Sequence, residues 1–161
     1  MRVANQIKIR KALPSEWERL VELAQQMSED SSSDLDAGFF SRGDGRAFVQ
    51  FLIEKGQLLV AERGSRLVGF CQFEPGRDQA YQTGHPSLVL RALYVLPAER
   101  GIGYGHALIE HFLTEARRRG IGRVRAEVCV SAVLDHMLVQ HGFSERRREY
   151  QLLDPRRVAA D

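Results

Sequence analysis

The sequence predicts an α/β fold built on a mixed sheet, and three observations carry that prediction. Runs with strand character recur from the N-terminal end to the C-terminal end. Amphipathic segments with helical spacing of their apolar residues lie between them. In the second half a strand run, a helical stretch and another strand run follow in order, and a β–α–β order implies a parallel crossover, normally right-handed. The hairpin before it is antiparallel, so the sheet is mixed.

Each element has a local reason. Ile7-Lys8-Ile9-Arg10 alternates as a short strand. Pro14 and Ser15 start a helix with Ser15 as N-cap, and Trp17, Leu20, Val21, Leu23 and Ala24 give it an apolar face. Glu29 to Asp36 is polar and acidic, with three consecutive serines, and reads as a loop. A second helix spans about 45–55, with Phe48, Phe51 and Leu52 inward. Leu58–Arg63 and Arg66–Glu74 read as two strands joined by Gly64-Ser65, a hairpin signal. Pro75–Pro86 reads as a loop, and Ser87–Val95 as a central strand. The next helix runs from about Gly103 to Arg119, with Ala107, Leu108, Phe112, Leu113 and Ala116 on one face and Gly120 as its stop. Arg123–Val130 is a strand, Ala132–His141 a short helix ending at Gly142, and Phe143–Leu153 the last strand or pair of strands.

Bulk properties narrow the class. At 161 residues the chain is read as one domain, 1–161, large enough for a hydrophobic core. A net charge of +2 is too small to announce a nucleic-acid binder. The arginine clusters 117–119, 146–148 and 156–157 read as solvated surface, the first also as favourable charge at a helix C-terminus. The two cysteines, Cys71 and Cys129, each sit in an apolar run without a Cys-x-x-Cys pattern, which suits a reducing cytoplasm. Met1 to Lys11 is polar and basic without the apolar core of a signal peptide, and no run approaches a membrane span. The expected location is cytoplasmic. Phe143–Leu153 mixes apolar and arginine residues, a pattern compatible with a homodimer.

The most informative stretch is Arg100-Gly101-Ile102-Gly103-Tyr104-Gly105, which follows the apolar run and Pro97 and opens the amphipathic helix. The first N–H groups of a helix have no intrahelical partners, and the dipole adds partial positive charge there. Glycines let a phosphate approach the backbone without meeting a Cβ. A Walker A loop would need Lys and Ser/Thr after the last glycine, where His106 and Ala107 stand. A dinucleotide fingerprint would need glycine where His106 stands, near the start of a βαβ unit.

Arg-x-x-Gly-x-Gly, filled by Arg100, Gly103 and Gly105, resembles the acyl-CoA pyrophosphate loop of the Gcn5-related N-acetyltransferases. Leu93-Tyr94-Val95-Leu96-Pro97 is similar to that family's fourth strand and its exit, and Gly142-Phe143 to the Gly-Phe after its last helix. The resemblance covers roughly residues 58–153. It implies a mostly antiparallel twisted sheet with a parallel β4–α3–β5 crossover, splayed strands and helices on both faces.

It also implies a reaction: transfer of an acetyl group from acetyl-CoA, as co-substrate, directly to a primary amine of a small molecule or peptide. On this chain the pyrophosphate would meet Arg100, Gly101, Ile102, Gly103, Tyr104, Gly105 and His106. Pantetheine would pair with the backbone of Leu93, Tyr94 and Val95, and Ser131 stands where the family has a pantetheine-binding asparagine. One N–H of Leu93–Val95 would face the acetyl oxygen. A lysine-like amine has a pKa near 10.4, so a base is needed, and Glu127 is the candidate. A partly desolvated cleft would raise its pKa; alternatively Glu127 is a strand residue facing water and paired with Arg125.

The family's acidic tyrosine falls on Leu138, which cannot donate a proton, so Tyr94, Tyr150, His136 or water is left for that role. This departure supports the second reading, a non-catalytic acyl-CoA-binding or sensor module. His106/His111 and His136/His141 are five apart, off a common helical face, and no metal site is expected. Acceptor recognition would fall on about Met27–Phe48 and Pro75–Pro86. There Glu29, Asp30, Asp34 and Asp36 read either as a lure for a cation or as a soluble acidic loop, and Phe39 and Phe40 either line a pocket or anchor the loop.

Overall fold

The computed structural model describes residues 7–30, 43–77, 84–128 and 132–145. The chain divides into two compact units, Met1–Val130 and Ser131–Asp161. Expectations for Asp34, Asp36, Phe39, Phe40, Cys129, Ser131, Tyr150 and the arginines after 145 fall outside the described residues.

Among the described residues of the first unit five strands form one sheet in the order β1 (Lys8–Lys11), β2 (Leu58–Arg63), β3 (Arg66–Arg77), β4 (Pro86–Val95), β5 (Val124–Ala126). All neighbours are antiparallel except β4 and β5, which are parallel. The mixed sheet is therefore the one expected. Helices α1 (Trp17–Asp30) and α2 (Gly43–Glu54) cover one face. Their Leu20, Leu23, Val49 and Leu52 join Leu58, Val60, Phe70 and Tyr94 in one buried cluster. Helix α3 (Tyr104–Arg118) lies against β2, β3 and β4. Its Phe112 meets Phe73 at 5.8 Å between ring centres. Phe70 and Phe73 are three apart on β3, so they serve opposite faces.

Three expectations change in detail. Ser15 is not an N-cap: Leu13 takes the extended cap conformation, Pro14 opens a 3-10 turn over Pro14–Glu16, and the Glu16 carboxylate accepts the Leu13 N–H at 2.8 Å. On α2 the inward stripe is Val49, Leu52 and Ile53, while Phe51 is 48% exposed, turned about 100° away from Leu52. The strands also reach further into 75–86 than expected, because Pro75, Gly76 and Arg77 pair with Leu88, Ser87 and Pro86. A proline fits there because that flank of β3 has run past β2, whose pairing stops at Leu58–Gln72.

The decisive irregularity is in β4. Gln72 pairs with Ala92 and Phe73 with Leu90, so Arg91 is an inserted residue without a partner on β3. Before it, the Leu88 N–H donates to the Arg123 carbonyl at 3.0 Å, and the Glu127 N–H donates to the Leu90 carbonyl at 2.8 Å. Leu88 and Leu90 thus turn their backbone toward β5. After it, the Leu96 N–H donates to the Val68 carbonyl at 2.9 Å. Even-numbered residues now face β3, and Leu93 and Val95 face the opposite edge. Among the described residues no strand pairs with that edge, because β5 ends at Ala126.

Helix α3 ends as expected at Gly120, where the Ile121 N–H donates back to the Ala116 carbonyl at 2.9 Å. In the second unit, α4 (Ala132–Gln140) ends the same way at Gly142, with Phe143 N–H to Leu138 carbonyl at 3.0 Å. Among the described residues no helix is long and apolar enough to cross a membrane.

On α3 the buried Glu115 accepts from Arg118 at 2.6 Å and Arg119 at 2.8 Å and lies 3.6 Å from Lys11 of β1. Its pKa falls to about 2, first through the Arg118 hydrogen bond, then Arg119 and the nearby Lys11, against the opposing effect of burial. A lowered folded-state pKa stabilises above the unfolded value, near 4.3, and that stability fades as pH falls toward 2. Glu115→Gln should therefore unfold at lower denaturant than the parent at pH 7, with the gap closing between about pH 4 and pH 2. Urea melts across that range would measure it.

Candidate active site

The glycine loop is shaped by its own backbone. Gly101 has φ +78° and Gly103 φ +108°, values that L side chains rarely adopt. Gly103 is the N-cap of α3, and its carbonyl accepts the Ala107 N–H at 3.0 Å. Gly103 itself carries no capping side chain. The Tyr104 side chain is 2% exposed and anchors the helix start in the core, while Ile102 lies outside at 45%. Gly105 and His106 fall in the first turn of α3.

Two arginine–carboxylate struts hold this loop against the sheet. The first is built on Glu99, buried in the 3-10 turn Pro97–Glu99. It accepts from Arg63 at 2.6 Å and Arg66 at 3.0 Å, the residues flanking the β2–β3 turn. The second runs through Arg100. Its Nε donates to the Val95 carbonyl at 2.8 Å, and its guanidinium lies 5.5 Å from the Tyr94 ring centre and 3.7 Å from Asp30. Its N–H donates to the Pro97 carbonyl at 3.3 Å. Arg100 is thus directed back onto β4, and shaping the loop is what its contacts do.

Tyr94 completes this group. Its hydroxyl donates to Asp30 at the end of α1. Burial, and then that hydrogen bond, push the phenol up to about 12. An open cavity of about 460 Å³ lies here between α1 and the exit of β4, lined by Gln26, Asp30, Tyr94, Leu96 and Glu99 among others.

Of the three residues expected to offer backbone groups, Leu93 and Val95 direct theirs to the open edge. Tyr94 does not: the inserted Arg91 has turned its N–H and carbonyl toward Phe70 of β3. The Val95 carbonyl is taken by Arg100, which leaves the Val95 N–H and both Leu93 groups facing outward.

Glu127 follows β5 directly, beside Leu90, where the strands part. One carboxylate oxygen accepts from Arg91 at 2.5 Å and the other pairs with Arg125 at 3.0 Å. Its side chain is 41% exposed, so the desolvated cleft expected from the sequence is not its environment; the pairing with Arg125 is. Arg91 also grips Glu74 of β3 at 2.6–2.7 Å. Leu138 is buried in α4 and His136 is exposed. His85 is exposed just before β4.

Sequence reasoning missed Glu99, Arg63, Arg66, Glu74 and Arg91, and the bonding of Asp30. Each works through a partner at least 17 positions away, as Arg91–Glu74 does, and no local pattern marks such pairs.

The model of the acetyltransferase (GNAT) family matches residues 17–143, and the chain belongs to that family. Among solved structures it is similar to a predicted acetyltransferase from Clostridium acetobutylicum determined with acetyl-CoA, at 16% identity and a TM-score of 0.71, covering 91% of this chain and 96% of that one. It is similar to an aminoglycoside N-acetyltransferase in complex with CoA, at 17% identity and a TM-score of 0.71, covering 96% and 99%. A ribosomal-protein-alanine N-acetyltransferase from Brucella melitensis biovar Abortus shares 16% identity with a TM-score of 0.68, covering 92% and 99%. These likenesses establish the GNAT acyl-CoA N-acyltransferase fold. No curated protein matches the sequence.

The phenol of Tyr94 is already committed as donor to Asp30, and a value near 12 is poorly matched to a thiolate of pKa about 8.5. That hydrogen bond ties β4 to the end of α1. Tyr94→Phe should cost about 1–2 kcal/mol of stability in denaturant melts, with any thiol-releasing activity kept within about threefold, a rate ratio well under 1 kcal/mol of barrier.

Proposed function

We propose that this protein moves an acetyl group from acetyl-CoA directly to a primary amine of a small molecule or peptide. The observation that carries the proposal is the open edge of β4. Leu93 and Val95 face it with backbone groups, and it leads straight into a glycine loop at a helix N-terminus. A linear thioester cofactor needs that combination: strand-like pairing along pantetheine and a cradle for two phosphates. The N–H groups from Gly101 to His106 would hold the pyrophosphate. The acetyl oxygen would take the outward N–H of Leu93 or Val95, where a fixed donor stabilises the charge of the tetrahedral intermediate.

The acceptor nitrogen attacks the thioester carbon, the carbon–sulfur bond breaks, and the ammonium proton passes to a base. Glu127 fills that role through bridging waters. The leaving thiolate needs no tyrosine: with a thiol pKa of about 8.5 it departs as such and is protonated by solvent. The acceptor is an amine whose structure the fold does not specify, since similar folds are named for aminoglycoside and ribosomal-protein acetylation. Leu138 in place of an acid favours one other reading, an acyl-CoA-binding module without turnover.

Two measurements test this. Gly103→Val places a β-branched side chain at φ +108°, 3.4 Å from Ile7 Cδ1 at its Cβ. It should weaken acetyl-CoA binding at least tenfold by calorimetry, and unchanged affinity in a folded variant would remove the loop from the site. Thiol release from acetyl-CoA should require an amine from a panel of polyamines, aminoglycosides, amino acids, arylamines and peptides. Binding of acetyl-CoA without thiol release for any of them would favour the module.

A further inference from the structure

We propose that Arg91 is a positioning residue for the acetyl-transfer base, and that the bulge in β4 serves to present it. This rests on the assignment of Glu127 as base in the preceding reading. Arg91 is the one residue inserted between the pairs Phe73–Leu90 and Gln72–Ala92, and no β3 residue opposes it. An inserted residue re-aims its side chain. Here the guanidinium reaches both ways across β4. Its Nε and NH2 groups hold Glu74 of β3 at 2.7 Å and 2.6 Å, and its NH1 holds Glu127 at 2.5 Å. The same insertion switches Leu93 and Val95 to the open edge, so one residue creates that edge and fixes the carboxylate at its start.

Glu127 needs such a clamp because β5 has ended. Among the described residues its N–H is the last of this strand to bond β4, and its side chain, 41% exposed, has three rotatable bonds. Arg125 holds the other carboxylate oxygen at 3.0 Å, but Arg125 sits on β5 itself and ties Glu127 only to its own strand. Arg91 ties it to the sheet. Three residues of strand, about 10 Å, separate Leu90 from Leu93, more than one water spans, so a carboxylate fixed beside Leu90 serves an amine near Leu93 through a short chain of waters whose first member it holds in place. The charged groups of the cluster are Glu74, Arg91, Arg125 and Glu127, two of each sign. Glu74 fixes the far side of Arg91, so the guanidinium stays in place when an amine approaches Glu127.

The test is a double-mutant cycle on the full chain, following thiol release from acetyl-CoA with the best amine of the panel. Arg91→Met should lower kcat about tenfold or more, with KM for acetyl-CoA within twofold. Arg91→Lys should recover part of the loss, because an ammonium keeps the charge but grips one carboxylate at a time. In a Glu127→Gln background, Arg91→Met should have no further effect, since the residue acts only through Glu127. Losses that multiply in the double variant, or a full kcat in Arg91→Met, overturn the proposal. A fully active Glu127→Gln overturns it too while leaving acetyl transfer intact. A parent that binds acetyl-CoA and releases no thiol with any amine overturns acetyl transfer itself, and the role of Arg91 with it.

Discussion

One inserted residue in β4 governs the site. Backbone amides in a strand alternate between its two edges, and a regular β4 would have offered those of Ala92 and Tyr94 to the side where β5 lies. Arg91 shifts that phase. The core is untouched by the change, since Tyr94 still packs among Leu20, Leu23 and Phe70. What changes is the edge. Up to Leu90 the edge is satisfied by β5, and beyond it Leu93 and Val95 face outward. Among the described residues nothing pairs with that edge, and unpaired amides of a strand call for a ligand or solvent to complete them. Proteins of similar fold have been determined with acetyl-CoA and with CoA.

The loop that follows β4 is held by charge, with short-range geometry fixed by glycine. Glu99 collects two arginines from the far hairpin, and Arg100 reaches back to Val95. The Glu99 pairs, and the contact of Arg100 with Asp30 at 3.7 Å, join segments distant in sequence. A loop framed in this way has its conformation set in advance, so a ligand would find little left to order. The side chain of Arg100, which the motif alone would assign to the phosphate, is instead part of the frame.

The fold was largely legible because its signals are local. The hairpin at Gly64-Ser65, the glycine stops at Gly120 and Gly142, and the stripe Leu108–Phe112–Ala116 each declare themselves within a few residues. The glycine turn into α3 was legible for the same reason. What the sequence hid is long-range or depends on register. Phe51 was misplaced because three apolar residues in four on α2 leave the inward stripe ambiguous until α1 and the sheet choose one. The amides of Tyr94 were misassigned because a single-residue insertion leaves no mark in composition or period. Strand ends at Pro75–Arg77 were missed because proline reads as a breaker, although on an unpartnered flank it breaks nothing.

The replacement of the family's tyrosine by Leu138 bears on how much help the leaving group requires. Protonating a thiolate at neutral pH is a small task compared with removing a proton from an ammonium of pKa near 10.4. The chain's investment follows that order. Its described charged groups at the end of β5 are Glu127, the guanidiniums of Arg91 and Arg125, and Glu74 behind Arg91, while the phenol of Tyr94 is bonded to Asp30. An enzyme whose base is held by two arginines and whose leaving group departs unaided would be limited by amine deprotonation. On that argument its acceptor would be an amine of low pKa, such as a peptide N-terminus near 7.7–8.0, in preference to a lysine-like amine. Among the amines of the panel, kcat/KM at fixed pH should then fall as acceptor pKa rises.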